Sequence, residues 1–118
     1  MQTIIEERGK ITFVSDELWQ TSILIESKKG AKRANHKHTT DTHLIHMISG
    51  KARYVELGED EKYGYVIDRI VGPGDQILTG PDVPHAMEFL EDSLMLVLAK
   101  NEREPEKYLN EIVPCKVL

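Results

Sequence analysis

The chain has 118 residues, with 15 lysines and arginines against 20 aspartates and glutamates, a net charge of −5. That length suits a single domain over residues 1–118, and the acidic balance excludes a grip on phosphate backbones, so no nucleic-acid partner is expected. Hydrophobic residues at 40% exclude a disordered composition, and the longest apolar run, the six residues Leu94–Ala99, falls far short of a membrane helix.

The N-terminus turns acidic at Glu6-Glu7 before an apolar stretch forms, so no signal peptide and a cytoplasmic setting are expected. Gln2–Ile5 and Lys10–Val14 are short strand patterns. In Trp19–Glu26 the alternation puts Trp19, Thr21, Ile23 and Ile25 on one face and Gln20, Ser22 and Leu24 on the other. After the Lys28-Lys29-Gly30 turn, Ala34–His38 and His43–Ile48 flank a polar stretch whose length suits a tight turn onto a neighbouring strand. Lys51–Leu57 and Tyr63–Val71 read as a hairpin with the charged tip Gly58–Lys62. Gln76–Thr79 follows a Gly72-Pro73-Gly74-Asp75 turn, and His85–Leu90 with Ser93–Ala99 reads as a last hairpin around Glu91-Asp92. Arg103–Glu111 is the one helix pattern, with Pro105 and two glutamates suited to a first turn. Ile112–Leu118 is placed as an added edge strand. The expected fold class is therefore all-β, an antiparallel sandwich or small barrel with one short C-terminal helix.

Chemistry concentrates in the histidines. Alternation along a strand projects His36 and His38 side by side. His43 follows after four residues and His85 opens a later strand beyond a Gly/Pro loop. Neutral imidazoles gathered at a barrel mouth suit a divalent transition metal such as zinc, iron, nickel or manganese, with open positions left for water or substrate. The set His36, His38, His43 and His85 is the candidate metal site.

These residues fall on two spaced motifs. Gly30, five residues, His36-Lys37-His38, four residues, His43, six residues and Gly50 make the first; Gly74, five residues, Gly80-Pro81-Asp82, two residues and His85 make the second. The pair resembles the two motifs of the cupin superfamily, which implies a jelly-roll barrel with the site inside it. His43 stands where the superfamily usually has glutamate, Gly80 and Asp82 stand where proline and glycine are usual, and Phe89 replaces a common asparagine. An imidazole at position 43 keeps a nitrogen donor but lowers the anionic charge, which favours borderline metals over hard ions.

Two further segments, Glu7–Phe13 and Lys32–His38, resemble pieces of small cupins that act as nucleotide-sugar 3,4-ketoisomerases. That resemblance implies metal-independent acid–base catalysis by histidines, with His38 and His36 as the candidate catalytic pair. It also implies a homodimer, to which the segments of Ile4, Ile5, Ile11 and Phe13 would bring exchanged or added edge strands. Three readings follow: a metal-binding cupin, enzymatic or a relic of an enzyme, acting on a small polar substrate, carbohydrates included; a metal-independent isomerase or epimerase; and a non-catalytic cupin that binds a small-molecule ligand.

The remaining polar residues divide by face. Arg33 and Lys37 are candidates for a phosphate or carboxylate of a ligand. Only one of Arg53 and Tyr54 can face the cavity. His46 lies opposite His43's face and is read as structural or interfacial. Glu88 turns away from His85. Asp41 is placed to orient a ligand imidazole or to cap the turn. Met47, Met87 and Phe89 are expected to wall the site, and Cys115 to be passive.

Overall fold

The computed structural model describes residues 2–58, 65–101 and 112–118. Among these residues lie eleven strands: β1 Gln2–Glu6, β2 Gly9–Phe13, β3 Thr21–Ser27, β4 Lys32–His38, β5 His43–Ser49, β6 Ala52–Leu57, β7 Tyr65–Val71, β8 Gln76–Thr79, β9 His85–Phe89, β10 Ser93–Ala99 and β11 Ile112–Pro114. All pairings are antiparallel. β1 and β2 form a separate hairpin, one sheet runs β3-β10-β5-β8, and a second runs β11-β4-β9-β6-β7. The all-β expectation is thus met. The predicted helix Arg103–Glu111 lies outside the described residues, as does most of the predicted hairpin tip. Among the described residues no helix is long and apolar enough to cross a membrane.

The two larger sheets pack face to face because their strands alternate. Met95, Val97 and Ala99 of β10 are buried while the residues between them are half-buried. In β3, Ile23 and Ile25 turn inward and Leu24 is exposed, as the sequence pattern predicts. Ile45, Met47, Ile77, Met95 and Val97 of one sheet meet Ala52, Tyr54, Val71, Met87 and Phe89 of the other. At roughly 1.5–3 kcal/mol per buried large side chain, this layer dominates the folding energy.

Two predicted local hairpins are instead crossings between sheets. β4 and β5 do not pair, nor do β9 and β10: β4 and β9 are neighbours in one sheet, β5 and β10 in the other. Buried histidines at both ends of the 39–42 turn explain the first, since pairing within one sheet could not set two inward faces opposite each other. His38 and His43 consequently face across the sandwich.

A bulge in β4 sets the position of the first histidine. Ala34 stands opposite Ala86 and His36 opposite His85, so two steps on β4 match one on β9 and Asn35 is the additional residue. Ala34 and Asn35 take the left-handed φ values 67° and 51°, costly for alanine and tolerated by asparagine. The segment after β11 holds the bulge. The Asn35 side-chain oxygen accepts the Val117 and Leu118 N–H groups at 2.9 and 2.8 Å, and its carbonyl accepts Cys115 N–H at 2.9 Å. Val117 then packs on Val55 and Ala86, closing the outer face of that sheet. The tail expected to add an edge strand does so through β11, which pairs with His36, Lys37 and His38.

Candidate functional site

The inner faces of β4, β5 and β9 bring the four predicted histidines together. Ring centroids of His36 and His38 lie 4.7 Å apart, His36 and His85 5.0 Å, His38 and His85 5.5 Å, and His38 and His43 4.0 Å. One ring nitrogen from each of His36, His38 and His85 falls in a group whose members are all within 4.8 Å of one another. His43 stands beside that group with Nε2 2.9 Å from the Asp41 carboxylate oxygen Oδ2. The other Asp41 oxygen accepts the backbone N–H groups of Thr42 and Asn101. Asp41 therefore both orients an imidazole and caps the turn. A carboxylate accepts, so Nε2 of His43 carries the proton in this bond.

His85 is 3% exposed, and its Nδ1 donates to the Val83 carbonyl at 2.8 Å. The same ring thus presents Nε2 as a lone pair in its neutral form. Burial pushes its pKa down to about 4; the Val83 carbonyl opposes this, and the neighbouring His38 adds to it. Unfolded, this histidine binds a proton near 6.5. Between about 6.5 and 4 the unfolded chain therefore holds more protons than the folded one. The His85 contribution is complete above 6.5 and is lost as pH falls through that window, roughly 3 kcal/mol in all. Urea unfolding of chelator-treated protein at pH 7 and 4.5 is expected to show that loss, with a shallower pH dependence in His85→Gln.

His36 and His85, with His43, line one side of a cavity of about 340 Å³. Ile23, Ile25, Ile45, Met87, Met95 and Val97 supply its apolar walls. Met87 is thus part of the wall the sequence predicts, whereas Met47 and Phe89 lie in the core at 0% and 1% exposure. Arg33 lines the same cavity. Lys37 stands one residue from each inward histidine and so turns to the other face.

Alternation settles the Arg53–Tyr54 pair. Tyr54 is buried, and Arg53 forms a two-point ion pair with Asp68 on the outside. Two polar groups of this layer are not identified from the sequence. The Tyr54 hydroxyl donates to Glu56 Oε1 at 2.6 Å, and Thr79 Oγ1 lies 2.6 Å from the same hydroxyl. Because the Tyr54 proton is committed to the carboxylate, Thr79 is the donor in the second bond. Burial, then the Glu56 hydrogen bond, pushes the Tyr54 phenol far above its ordinary range, so it stays protonated. Glu56 stands directly opposite His85 and Thr79 directly opposite His43. The signal for Glu56 was its place two residues after Tyr54, on the same strand face. His46 lies on the outer face, 3.2 Å from Gln76 Nε2.

A family model described as "Cupin domain" matches residues 23–99. No curated protein sequence matches the chain. Among solved structures, a 3,4-ketoisomerase from Helicobacter canadensis aligns at 18% identity and TM-score 0.78, covering 95% of this chain and 84% of that one. The QdtA 3,4-ketoisomerase from Thermoanaerobacterium thermosaccharolyticum, a double mutant in complex with TDP, aligns at 20% identity and TM-score 0.73, over 95% and 81%. The capsular polysaccharide assembling protein CapF from Staphylococcus aureus aligns at 20% identity and TM-score 0.72 over 98% of this chain, which spans 34% of that protein. At these identities the likeness establishes the fold.

Proposed function

The chain belongs to the cupin family, and from that premise we propose that it is a metal-binding cupin acting on a small polar substrate, with carbohydrates among the candidates. The observation that carries this reading is the gathering of His36, His38 and His85 nitrogens within 4.8 Å of one another. A tetrahedral zinc about 2.1 Å from each nitrogen needs nitrogens roughly 3.4 Å apart, so the rings would tighten modestly around an ion. Neutral imidazole is the ligating form, and the bond from His85 Nδ1 to Val83 leaves Nε2 in that state. Three imidazoles without a carboxylate favour zinc, iron, nickel or manganese over calcium or magnesium. His43, the fourth histidine of the expected set, stands outside that three-nitrogen group, its ring centroid 4.0 Å from that of His38. When bound, the metal polarises a substrate oxygen or lowers the pKa of a bound water. The chain's own part is to hold that oxygen's neighbourhood dry between the Ile25, Met87 and Val97 walls and to fix the ring orientations.

Elemental analysis of purified protein tests the reading. About one transition metal per chain is expected, removable by chelator, and mostly lost in His36→Ala/His38→Ala and His85→Ala with circular dichroism unchanged. Metal content unaffected by His85→Ala would falsify the site.

A second reading is favoured by the bond between His43 and Asp41. An imidazole held by a buried carboxylate is a poised acid–base group. A metal-independent isomerase of a nucleotide sugar would use His36 and His38 to move a proton beside a carbonyl, the His38 ring standing 4.0 Å, centroid to centroid, from the His43 ring that Asp41 holds. Metal-free protein that binds and isomerises a thymidine-diphosphate sugar supports this reading. Metal uptake with no substrate turned over supports a non-catalytic ligand-binding cupin.

The proposed assembly is a homodimer. Ile4, Ile5, Ile11 and Phe13 of the β1–β2 hairpin are between 50% and 82% exposed, a concentration of apolar side chains that a second copy would cover. Light scattering is expected to give twice the chain mass, and Ile5→Asp/Phe13→Asp the monomer. A monomeric parent protein rejects the assembly.

A further inference from the structure

We infer that Arg33 is the specificity-determining residue of the cavity and that the cavity takes a small organic acid, its carboxylate on Arg33 and an oxygen function toward His36 and His85. This deepens the proposed function, on whose cavity it rests.

The register of β4 carries the inference. Arg33 and His36 are three residues apart, and in a regular strand that spacing places them on opposite faces. The bulge at Asn35 removes the conflict. Arg33 stands opposite Met87, an inner-face residue 2% exposed, and His36 stands opposite His85, also on the inner face. Two consecutive residues at φ 67° and 51° are spent on that phase shift. Backbone strain of this kind persists where the surroundings hold it, and the Asn35 bonds to Val117 and Leu118 do so. The product of the strain is that Arg33, an exposed residue at the cavity's rim, shares a sheet face with His36, His38 and His85.

The guanidinium is also oriented in advance. Arg33 Nε donates to Ser27 Oγ at 2.8 Å, and Nη2 donates to the Glu26 carbonyl at 2.9 Å. Of its five N–H groups three remain for a ligand, in the planar fork that matches two carboxylate oxygens. Among the described residues, Arg8 and Arg53 each have a carboxylate partner, whereas no carboxylate pairs with Arg33. In a chain of net charge −5, an anchored cation without a carboxylate at a cavity wall is a site for an anion. Lys32 adds a second cation beside Arg33, and the walls between them and the histidines are Ile23, Ile25, Met87, Met95 and Val97, so the carbon skeleton of the ligand meets apolar side chains between two polar ends. A volume of about 340 Å³ is at the small end for binding sites.

Calorimetric titration with 4-oxopentanoate, 5-oxohexanoate and 6-oxoheptanoate and their methyl esters tests this, on protein both with and without added zinc. At least one acid is expected to bind about ten-fold tighter than its uncharged ester. Arg33→Met should erase the acid–ester difference, and Arg33→Lys should keep part of it, with zinc stoichiometry the same in both variants. Equal binding of acids and esters, no binding of any acid, or an acid preference surviving in Arg33→Met overturns the inference. Tighter binding of inorganic phosphate or thymidine diphosphate than of every acid overturns the carboxylate in favour of a phosphate. Because the comparison is also made without zinc, an acid preference there together with absent metal uptake would reject the metal reading alone.

Discussion

Gly50→Ala is expected to leave little folded protein at 37 °C. Gly50 sits at φ 89° where β5 crosses to β6 in the other sheet. A Cβ there would collide with Ser93 Oγ and would lie 2.5 Å from the Asp92 carbonyl and 2.6 Å from Ser93 Cα. Backbone atoms at the start of β10 cannot rotate away as a side-chain tip can. The Ser93 hydroxyl is itself engaged, accepting Lys51 N–H and donating to the Glu91 carbonyl. The left-handed conformation alone costs about 1–2 kcal/mol, and the overlap raises the total to about 3–5 kcal/mol. That is comparable with the whole stability of an ordinary domain of this size. Gly30→Ala is the internal control. Gly30 has φ 88°, but nothing lies within 4 Å of its added Cβ, so it should lose only the conformational part. Equal loss in the two variants, measured by urea unfolding, would show that crowding at Ser93 contributes nothing.

Tyr54→Phe is expected to cost about 3 kcal/mol although it removes a single oxygen. Tyr54 is fully buried, and its hydroxyl is the donor to a Glu56 carboxylate that is only 9% exposed. Deleting a donor strands a buried acceptor, and the stranded group carries most of the penalty. It also removes the acceptor for Thr79, and with it the hydrogen-bonded link between β6 and β8 of opposite sheets. Glu56→Gln in the Tyr54→Phe background should recover part of the loss, because a neutral amide is cheaper to bury unpaired. Stabilities of the two single variants that simply add in the double variant would mean that the pair is not coupled.

Both residues illustrate how far the sequence could be read. Gly50 is legible as the last glycine of a spaced motif, but its demand comes from Ser93, which is 43 positions later in the chain. Tyr54 was one of two neighbours, and period-two alternation required that one face inward without saying which. The inward place of Glu56 follows from that of Tyr54, two residues earlier on the same strand. Arg33 and Lys37 are equivalent as charges in sequence. The bulge at Asn35 separates them, and a bulge has no period that a pattern can register.

The strands themselves needed little beyond their own residues. Alternating faces in β3 and β10, turn residues at Gly72–Asp75 and the His36–His38 spacing are consequences of local geometry. Each of these depends on residues a few positions apart, and side-chain periodicity and backbone torsions act over that distance. Which sheet each strand joins was decided by the tertiary structure alone. β4 and β5, and β9 and β10, part company after their turns because burying both inward faces requires partners far along the chain. The facing of His85 to His36, the hold of Asp41 on His43 and the phase shift that brings Arg33 to the histidines' sheet face arise from those long-range pairings, whose energies no local stretch contains.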